Sequence, residues 1–285
     1  STTGKVYARG LNNYGQASTL TTLNVTQWHH IKLSEKIKSI SSNNSTVLAL
    51  ARSGHVYSWG ANNYGQAGTG TTSLISQPQQ ITASYRFTEL AAGNDFVLAL
   101  DSYDHLWAWG NNKYGQLGLG NTASESIPTL VSSDKTYKKI YASAHTAYAI
   151  DTNNVAWGWG KNKGMLGLGN DKENKLSPVT LLSGTRVQSI GVSTEAETVA
   201  VVDTSGRVWT WGSNMYGQLG NGTGWRAEQQ AENQRVQQLI QQAKANDEAK
   251  KQGEIRACIT SETNRMNCES QAEKVTSEAY AGDNS

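Results

Sequence analysis

The sequence predicts an all-β protein made of repeated units, followed by an α-helical C-terminal segment. Three observations predict this fold class. The string VYSWGANNYGQAG at residues 56–68 returns in four other places, the spacing is about 50 residues, and signals for tight hairpins lie between the copies. A constant period of about 20 to 50 residues is typical of solenoids, propellers and other arrays. About 4.5 such repeats lie within residues 1–224.

A Trp-Gly pair marks each well-kept repeat. We expect the tryptophan to fill the wedge between neighbouring sheets with a large apolar surface. The glycine lets a neighbouring backbone approach where a side chain would clash. These residues are therefore predicted to be structural: Trp59, Gly60, Trp109, Gly110, Trp159, Gly160, Trp211 and Gly212. In the first copy Arg9 replaces the tryptophan, which predicts a terminal and partly exposed repeat.

Each repeat is predicted to contain short strands joined by tight turns. In STVLALARSGHVYSWG an apolar run is followed by a turn at Gly54 and a second, alternating run, which indicates a hairpin. The later copies use Asp, Asn and Gly in this turn, as its backbone geometry requires. Pro78, Pro128 and Pro178 precede a further apolar step, where a strand entrance or edge tolerates the missing N–H.

Several short strands per repeat, with Trp-Gly marks, indicate the blades of a β-propeller. The string WG-x-N-x-YGQLG-x-G, best kept from Trp109 and Trp211 onward, resembles the repeat of the regulator of chromosome condensation (RCC1-type) family. The resemblance covers roughly residues 4–224 and implies a propeller of seven blades. Seven blades of this length need about 350 residues, so the predicted ring is incomplete or atypically closed. A distorted ring, the chain's own tail or another protein could close it.

A change of composition near Gly224 predicts a second region, residues 225–285, which holds only two of the 28 glycines. In RVQQLIQQAKANDEAKK, apolar residues recur at i, i+3, i+4 and i+7, which predicts one apolar stripe on a polar helix. The stripe consists of Val236, Leu239, Ile240 and Ala243. We expect this segment to dock onto a partner or to take part in assembly; a solvated extension is the alternative.

Two tryptophans outside the Trp-Gly pattern are added to the predicted partner contacts. Trp28 stands where the periodic proline falls in the other repeats, and Trp225 lies at the start of the tail. Together with the stripe they form the predicted contact set.

The two cysteines, Cys258 and Cys268, are separated by nine residues. On one continuous helix their Cα atoms would be about 15 Å apart, which is too far for a disulfide. A turn between them would allow the bond and would indicate an oxidising compartment. A disulfide and two free thiols both remain open, and the absence of a nearby histidine disfavours zinc.

No motif for chemistry is found. The five histidines have no accompanying cluster of carboxylates or thiols, and GLGLGN lacks the third glycine and the helix of a dinucleotide loop. We therefore expect no catalytic residue, no cofactor and no metal. The scattered basic residues and net charge of +2 give no reason to expect nucleic acid. No apolar run approaches the length of a membrane span.

Three classes of function remain. The sequence favours a non-enzymatic protein-interaction or architectural propeller in a larger assembly, such as a virion, tail or surface apparatus, whose partners are copies of itself or other subunits. An extracellular or virion-associated location is favoured over the cytoplasm, because the composition is polar and only 17% charged. The resemblance implies two alternatives: guanine-nucleotide exchange on a small GTPase, for which the uniform spacing leaves little room for an inserted wedge, and a secreted enzyme inhibitor.

Overall fold

The structure is a computed structural model that describes residues 1–19, 21–42, 45–82, 84–193 and 197–223, and 234–253 apart from 236, 240, 243 and 247. Internal contacts divide the chain into two units, Ser1–Gly222 and Thr223–Ser285. In the second unit, the described residues between 234 and 253 are helical. No helix in the described part of the chain is long and apolar enough to cross a bilayer.

The described residues of the first unit form five antiparallel sheets. The first sheet contains β1 (Val6–Gly10) and β2 (Val25–Ile31). The second contains β3 (Ile37–Ser42), β4 (Thr46–Ala51), β5 (Val56–Gly60) and β6 (Ile75–Gln80). The third contains β7 (Phe87–Ala92), β8 (Phe96–Asp101), β9 (Leu106–Gly110) and β10 (Glu125–Ser132). The fourth contains β11 (Tyr137–Ala142), β12 (Thr146–Asp151), β13 (Ala156–Gly160) and β14 (Lys175–Leu181). The fifth contains β15 (Val187–Val192), β16 (Thr198–Asp203) and β17 (Val208–Gly212).

The sheets are successive blades of a propeller. Within each sheet the strands pair in sequence order, as a meander. The first strands of neighbouring complete sheets, such as β7 and β11, contact each other, so these strands lie on the inner side and the fourth strands on the outer side. The prediction of an all-β, repeated propeller fold is confirmed, and the described sheets do not close into a ring.

The apolar core is divided into layers between neighbouring sheets. In one layer Leu98 and Leu106 of the third sheet pack with Tyr137 and Trp159 of the fourth. Trp59 and Trp109 occupy the equivalent position in two other layers, and neither is exposed to solvent. Trp211 of the last sheet is only partly buried. Each layer is therefore shared by two repeats, and a repeat lacks half of its core without its neighbour.

The glycine after the tryptophan is required by the backbone. Gly110 has a φ of 101°, a region that residues with a side chain rarely adopt. A Cβ on Gly110 would lie 2.4 Å from the carbonyl oxygen of Asp95, to which the N–H of Asn111 donates a hydrogen bond of 2.8 Å. Gly60, Gly160 and Gly212 make the same approach to Ser45, His145 and Glu197. In the two-stranded first sheet, a Cβ on Gly10 would meet no atom within 4 Å.

This contrast gives a matched pair of substitutions. Gly110→Ala should lower the free energy of unfolding by about 2 kcal/mol more than Gly10→Ala, because both residues have a positive φ but only Gly110 faces a carbonyl. Denaturant unfolding followed by tryptophan fluorescence measures the difference. Equal losses in the two variants would show that the carbonyl contact does not set the need for glycine.

Candidate protein-interaction face

The long loop that follows the Trp-Gly strand or its equivalent in each repeat is folded around an asparagine, which is buried in the first four copies. The Asn62 Oδ1 atom accepts a hydrogen bond of 2.9 Å from the N–H of Ala67, and its Nδ2 atom donates to the carbonyls of Thr71 and Ser73. Asn112 makes the equivalent three bonds in the next repeat. Asn12, Asn162 and Asn214 accept the equivalent loop N–H. This asparagine was not among the predicted structural residues, although its presence in all five copies is a signal for such a role.

The tryptophan of each repeat holds the loop of the repeat before it. The indole N–H of Trp59 donates to the carbonyl of Gln16 at 2.8 Å, and that of Trp109 donates to Gln66 at 3.0 Å. Trp159 and Trp211 bind the carbonyls of Gln116 and Met165 at 2.9 Å and 2.7 Å. Each of the first four loops is therefore fixed both by its own asparagine and by the next repeat.

A tyrosine projects from these loops in four of the five repeats. Its N–H donates to the side-chain oxygen of the glutamine two residues later, at 2.8–2.9 Å. Tyr14, Tyr64 and Tyr216 are 46%, 45% and 72% exposed. The fourth copy has no tyrosine, and its loop turns instead through Lys163 and Gly164, both with positive φ. The loops end on the same side of the sheets, so the tyrosines mark one face, here called the loop face.

A row of ionisable groups lies on the loop face beside Tyr114. Asp95, His145 and Glu197 occupy equivalent turns of three successive sheets. The Lys161 Nζ atom is 2.8 Å from the Glu197 Oε1 atom, and the Tyr114 ring is 5.2 Å from the His145 ring. Aromatic surface and charges of both signs are therefore combined on this face.

Burial changes the protonation equilibria in this row. It lowers the pKa of His145, and the positive charge of Lys161 acts in the same direction. Burial also raises the pKa of Asp95, against the opposing effect of His145. The His145 Nδ1 atom and the Gln116 Nε2 atom are buried without a hydrogen-bond partner in the part of the chain that the structure describes.

On the opposite side of the sheets, a second hydrogen-bond network recurs in the hairpin turns. The carboxylate of Asp101 accepts two turn N–H groups and, at 2.9 Å, the indole N–H of Trp107. Asp151 and Asp203 bind Trp157 and Trp209 in the same way. These aspartates close the hairpin turns that the sequence predicts.

In the second sheet Ala51 and Tyr57 stand in the places of this aspartate and tryptophan, and Glu35 from the preceding linker replaces the missing carboxylate. The Tyr57 hydroxyl donates to the Glu35 Oε1 atom at 3.0 Å. The same oxygen lies 2.7 Å from the His55 Nδ1 atom, which is also 3.1 Å from the Ser53 Oγ atom. Because serine and glutamate contact the same ring nitrogen, the histidine does not relay a proton between them. Glu35 was not among the residues predicted from the sequence.

The predicted partner contacts are only partly described. Trp28 is 69% exposed, and the Arg9 guanidinium lies 5.3 Å from the centre of its ring. Leu239 is 58% exposed. The other predicted residues lie outside the described part of the chain: Trp225, Val236, Ile240, Ala243, Cys258 and Cys268. Their contacts and the cysteine pairing stay predictions.

The described residues contain no group of three or more His, Cys, Asp or Glu side chains placed to hold a metal ion. The polar groups of the loop face are instead distributed along an extended surface.

Comparison with known proteins identifies the class of protein. A family model described as the RCC1-like domain matches residues 1–252. The chain therefore belongs to the family of RCC1-like domains, and the predicted resemblance is confirmed. No curated protein matches the chain.

Solved structures show the same fold. Human WBSCR16 is 22% identical, with a TM-score of 0.69 over 78% of this chain and 60% of that chain. Saccharomyces cerevisiae Prp20p, described with its binding properties to Gsp1p and histones, is 19% identical, with a TM-score of 0.60 over 81% of this chain and 55% of that chain. Yeast RCC1 (Prp20) bound to Kap60 gives the same identity and TM-score, with 53% of that chain covered. The chain thus spans 60% or less of the length of these proteins.

The network at Glu35 predicts a pH-dependent contribution to stability. Hydrogen bonds from Ser53, His55 and Tyr57 lower the pKa of Glu35, against the effect of burial. The ionised carboxylate therefore stabilises the fold above the ordinary pKa of glutamate, about 4.3, and this stability is lost as the pH falls through the lowered value. Glu35→Gln should lower the Tm at pH 7, and the difference from wild type should narrow below about pH 4.

Thermal unfolding between pH 3 and pH 8 measures this effect. Glu173→Gln, which removes a charge at an exposed position, is the matched control and should leave the Tm unchanged. A difference at Glu35 that is constant with pH would contradict a role for the ionised carboxylate.

Proposed function

We propose that the protein is a non-enzymatic interaction module that acts as a component of a larger protein assembly and binds a protein partner through the loop face. The RCC1-like propeller fold fits a role in protein interaction. The partner is another subunit of the assembly or a further copy of this chain.

The exposed tyrosines of the loop face carry this proposal. Two aromatic residues of the repeat differ in burial. Trp59 and Trp109 are fully buried and pack between adjacent sheets. Tyr64 and Tyr216 lie outside the core layers and keep 45% and 72% of their surface exposed. The loop of Tyr64 is held by Asn62 and by the indole of the next repeat. Tyrosine is enriched in protein interfaces, since it offers a large amphipathic contact with few rotatable bonds.

The ionisable groups beside Tyr114 support selective recognition of a protein partner. Lys161 and Glu197 form an ion pair at the rim of Tyr114, with Asp95 and His145 beside them. Charged groups around an aromatic contact select partners by complementarity and increase the rate of association.

The C-terminal region is proposed as the docking segment of the same assembly. We divide the chain functionally into the propeller repeats, residues 1–224, and a docking segment, residues 225–285. The described residues between 234 and 253 are helical and Leu239 is exposed, which supports a helix that offers an apolar stripe. A virion, tail or surface apparatus, and with it an extracellular location, is the proposed setting on grounds of composition alone.

Site-specific photocrosslinking tests the loop face. We expect p-benzoylphenylalanine in place of Tyr64 to give one covalent adduct of defined mass in cells of the source organism, because the ring at this position contacts the partner. The matched control is the same substitution at Tyr103, which is 73% exposed on a hairpin turn at the opposite side of the sheets. Adducts from both positions, or from neither, would contradict a partner on the loop face.

A second candidate function is nucleotide exchange on a small GTPase. The fold likeness to Prp20p, described with binding to Gsp1p, favours it. The proposed function predicts that the purified chain leaves the release of fluorescent GDP from Gsp1p unchanged. Prp20p in the same assay is the reference, and accelerated release by this chain would replace the non-enzymatic proposal with exchange activity.

A further inference from the structure

In the last sheet the first residue of the third strand is exposed, whereas the equivalent residue is buried in every other sheet. Val208 begins β17 and is 66% exposed. Its equivalents Val6, Val56, Leu106 and Ala156 are at most 4% exposed. Trp209, next along the strand, is 37% exposed, whereas Trp107 in the third sheet is 5% exposed. Among the described strands, β17 pairs only with β16.

In the other sheets a fourth, outer strand covers this position. Val6 is paired with Ile31, and Ala156 with Leu181. The N–H of Ile81 donates to the carbonyl of Val56 at 2.8 Å. These three partners are branched aliphatic residues that are at most 3% exposed. In the third sheet Ser132 is opposite Leu106, and the adjacent Val131 is partly buried against the core. The exposed site at Val208 therefore fits an aliphatic residue on a strand that runs antiparallel to β17.

The outer strands share a second feature, a proline three residues before the aliphatic residue. Pro78, Pro128 and Pro178 each precede the aliphatic residue by this distance, and Trp28 does so in the first sheet. Each proline falls in a gap of the pairing register opposite the tryptophan, whereas the glycine that follows the tryptophan is paired with the outer strand. A proline in this gap removes no ladder hydrogen bond, so the strand keeps its pairing on both sides of the bulge.

The chain's own continuation does not carry this pattern. Counted from Gly212 as from Gly110, the proline position falls on Gln230 and the aliphatic position on Asn233. Both positions lie outside the described residues. Their side chains offer neither the preset φ of proline nor an apolar group for Val208.

We propose that β17 is a binding site for an extended segment of a partner protein, which adds to the sheet as its fourth strand. The segment runs antiparallel to β17 and has the pattern Pro-x-x-Ile, Leu or Val, with the aliphatic residue opposite Val208. When a segment adds to the open edge of a sheet, main-chain hydrogen bonds provide affinity, and the contact of the aliphatic side chain with Val208 provides specificity. The inference rests on the proposed interaction role and names the class of partner segment.

A peptide copied from β14 is the probe, because that strand fills the same place in the fourth sheet. Its sequence is NKLSPVTLLS, residues 174–183. The labelled peptide should bind the full chain in a fluorescence anisotropy titration. Binding should be at least about tenfold weaker for the protein variant Val208→Asp and for the peptide variant Leu181→Asp, because each change removes one half of the apolar contact.

The Val208→Asp variant is expected to fold normally, since Val208 is exposed in the free chain. Circular dichroism checks this expectation. A peptide that does not bind, or that binds Val208→Asp as well as wild type, overturns the proposal.

Hydrogen exchange of residues 208–212 in the free chain completes the test. Faster exchange than at residues 106–110 supports an open strand. Equal protection in a monomer shows that the chain covers its own strand, and protection that rises with protein concentration shows that a second copy does so. Either result overturns a partner segment. The crosslink from position 64 does not depend on this strand, so failure here leaves the loop-face proposal intact.

Discussion

The bond from each indole to the preceding loop is the interaction on which the rest of the structure depends. One side chain, such as Trp109, fills the core between two sheets and also holds the carbonyl of Gln66 at 3.0 Å. Packing and loop position are therefore fixed by the same residue. This arrangement makes each repeat depend on its neighbour, so stability is built up along the chain by nearest-neighbour contacts.

The loop face is a consequence of this arrangement. A loop held by an internal asparagine and by a neighbouring indole has few conformations left to lose when it binds. Its tyrosine can therefore be presented to a partner without further ordering. The same repeat unit supplies a rigid base and a variable surface, because the residues around the tyrosine, such as Lys113 or Met215, differ from copy to copy.

Much of the fold could be predicted because the repeat is a property of spacing. Trp-Gly pairs at a fixed period indicate blades even when the three-dimensional contacts of the tryptophans are not known. Glu35 could not be predicted, since it comes from a linker outside the repeat and compensates for two changes, Ala51 and Tyr57, that only the fold brings together. Val208 has the same sequence environment as its buried equivalents. Its exposure depends on the strand opposite it, so the local sequence does not predict that exposure.

The direction of the indole bonds has a consequence for synthesis. Each bond joins a loop to a tryptophan 43 residues later in the regular copies. On the ribosome, a loop that has already emerged must wait for those residues before it is locked. At about 5 to 20 residues per second this delay is a few seconds for every repeat. The newest blade on a nascent chain is thus always the unfinished one, and it is the blade that a chaperone would find open.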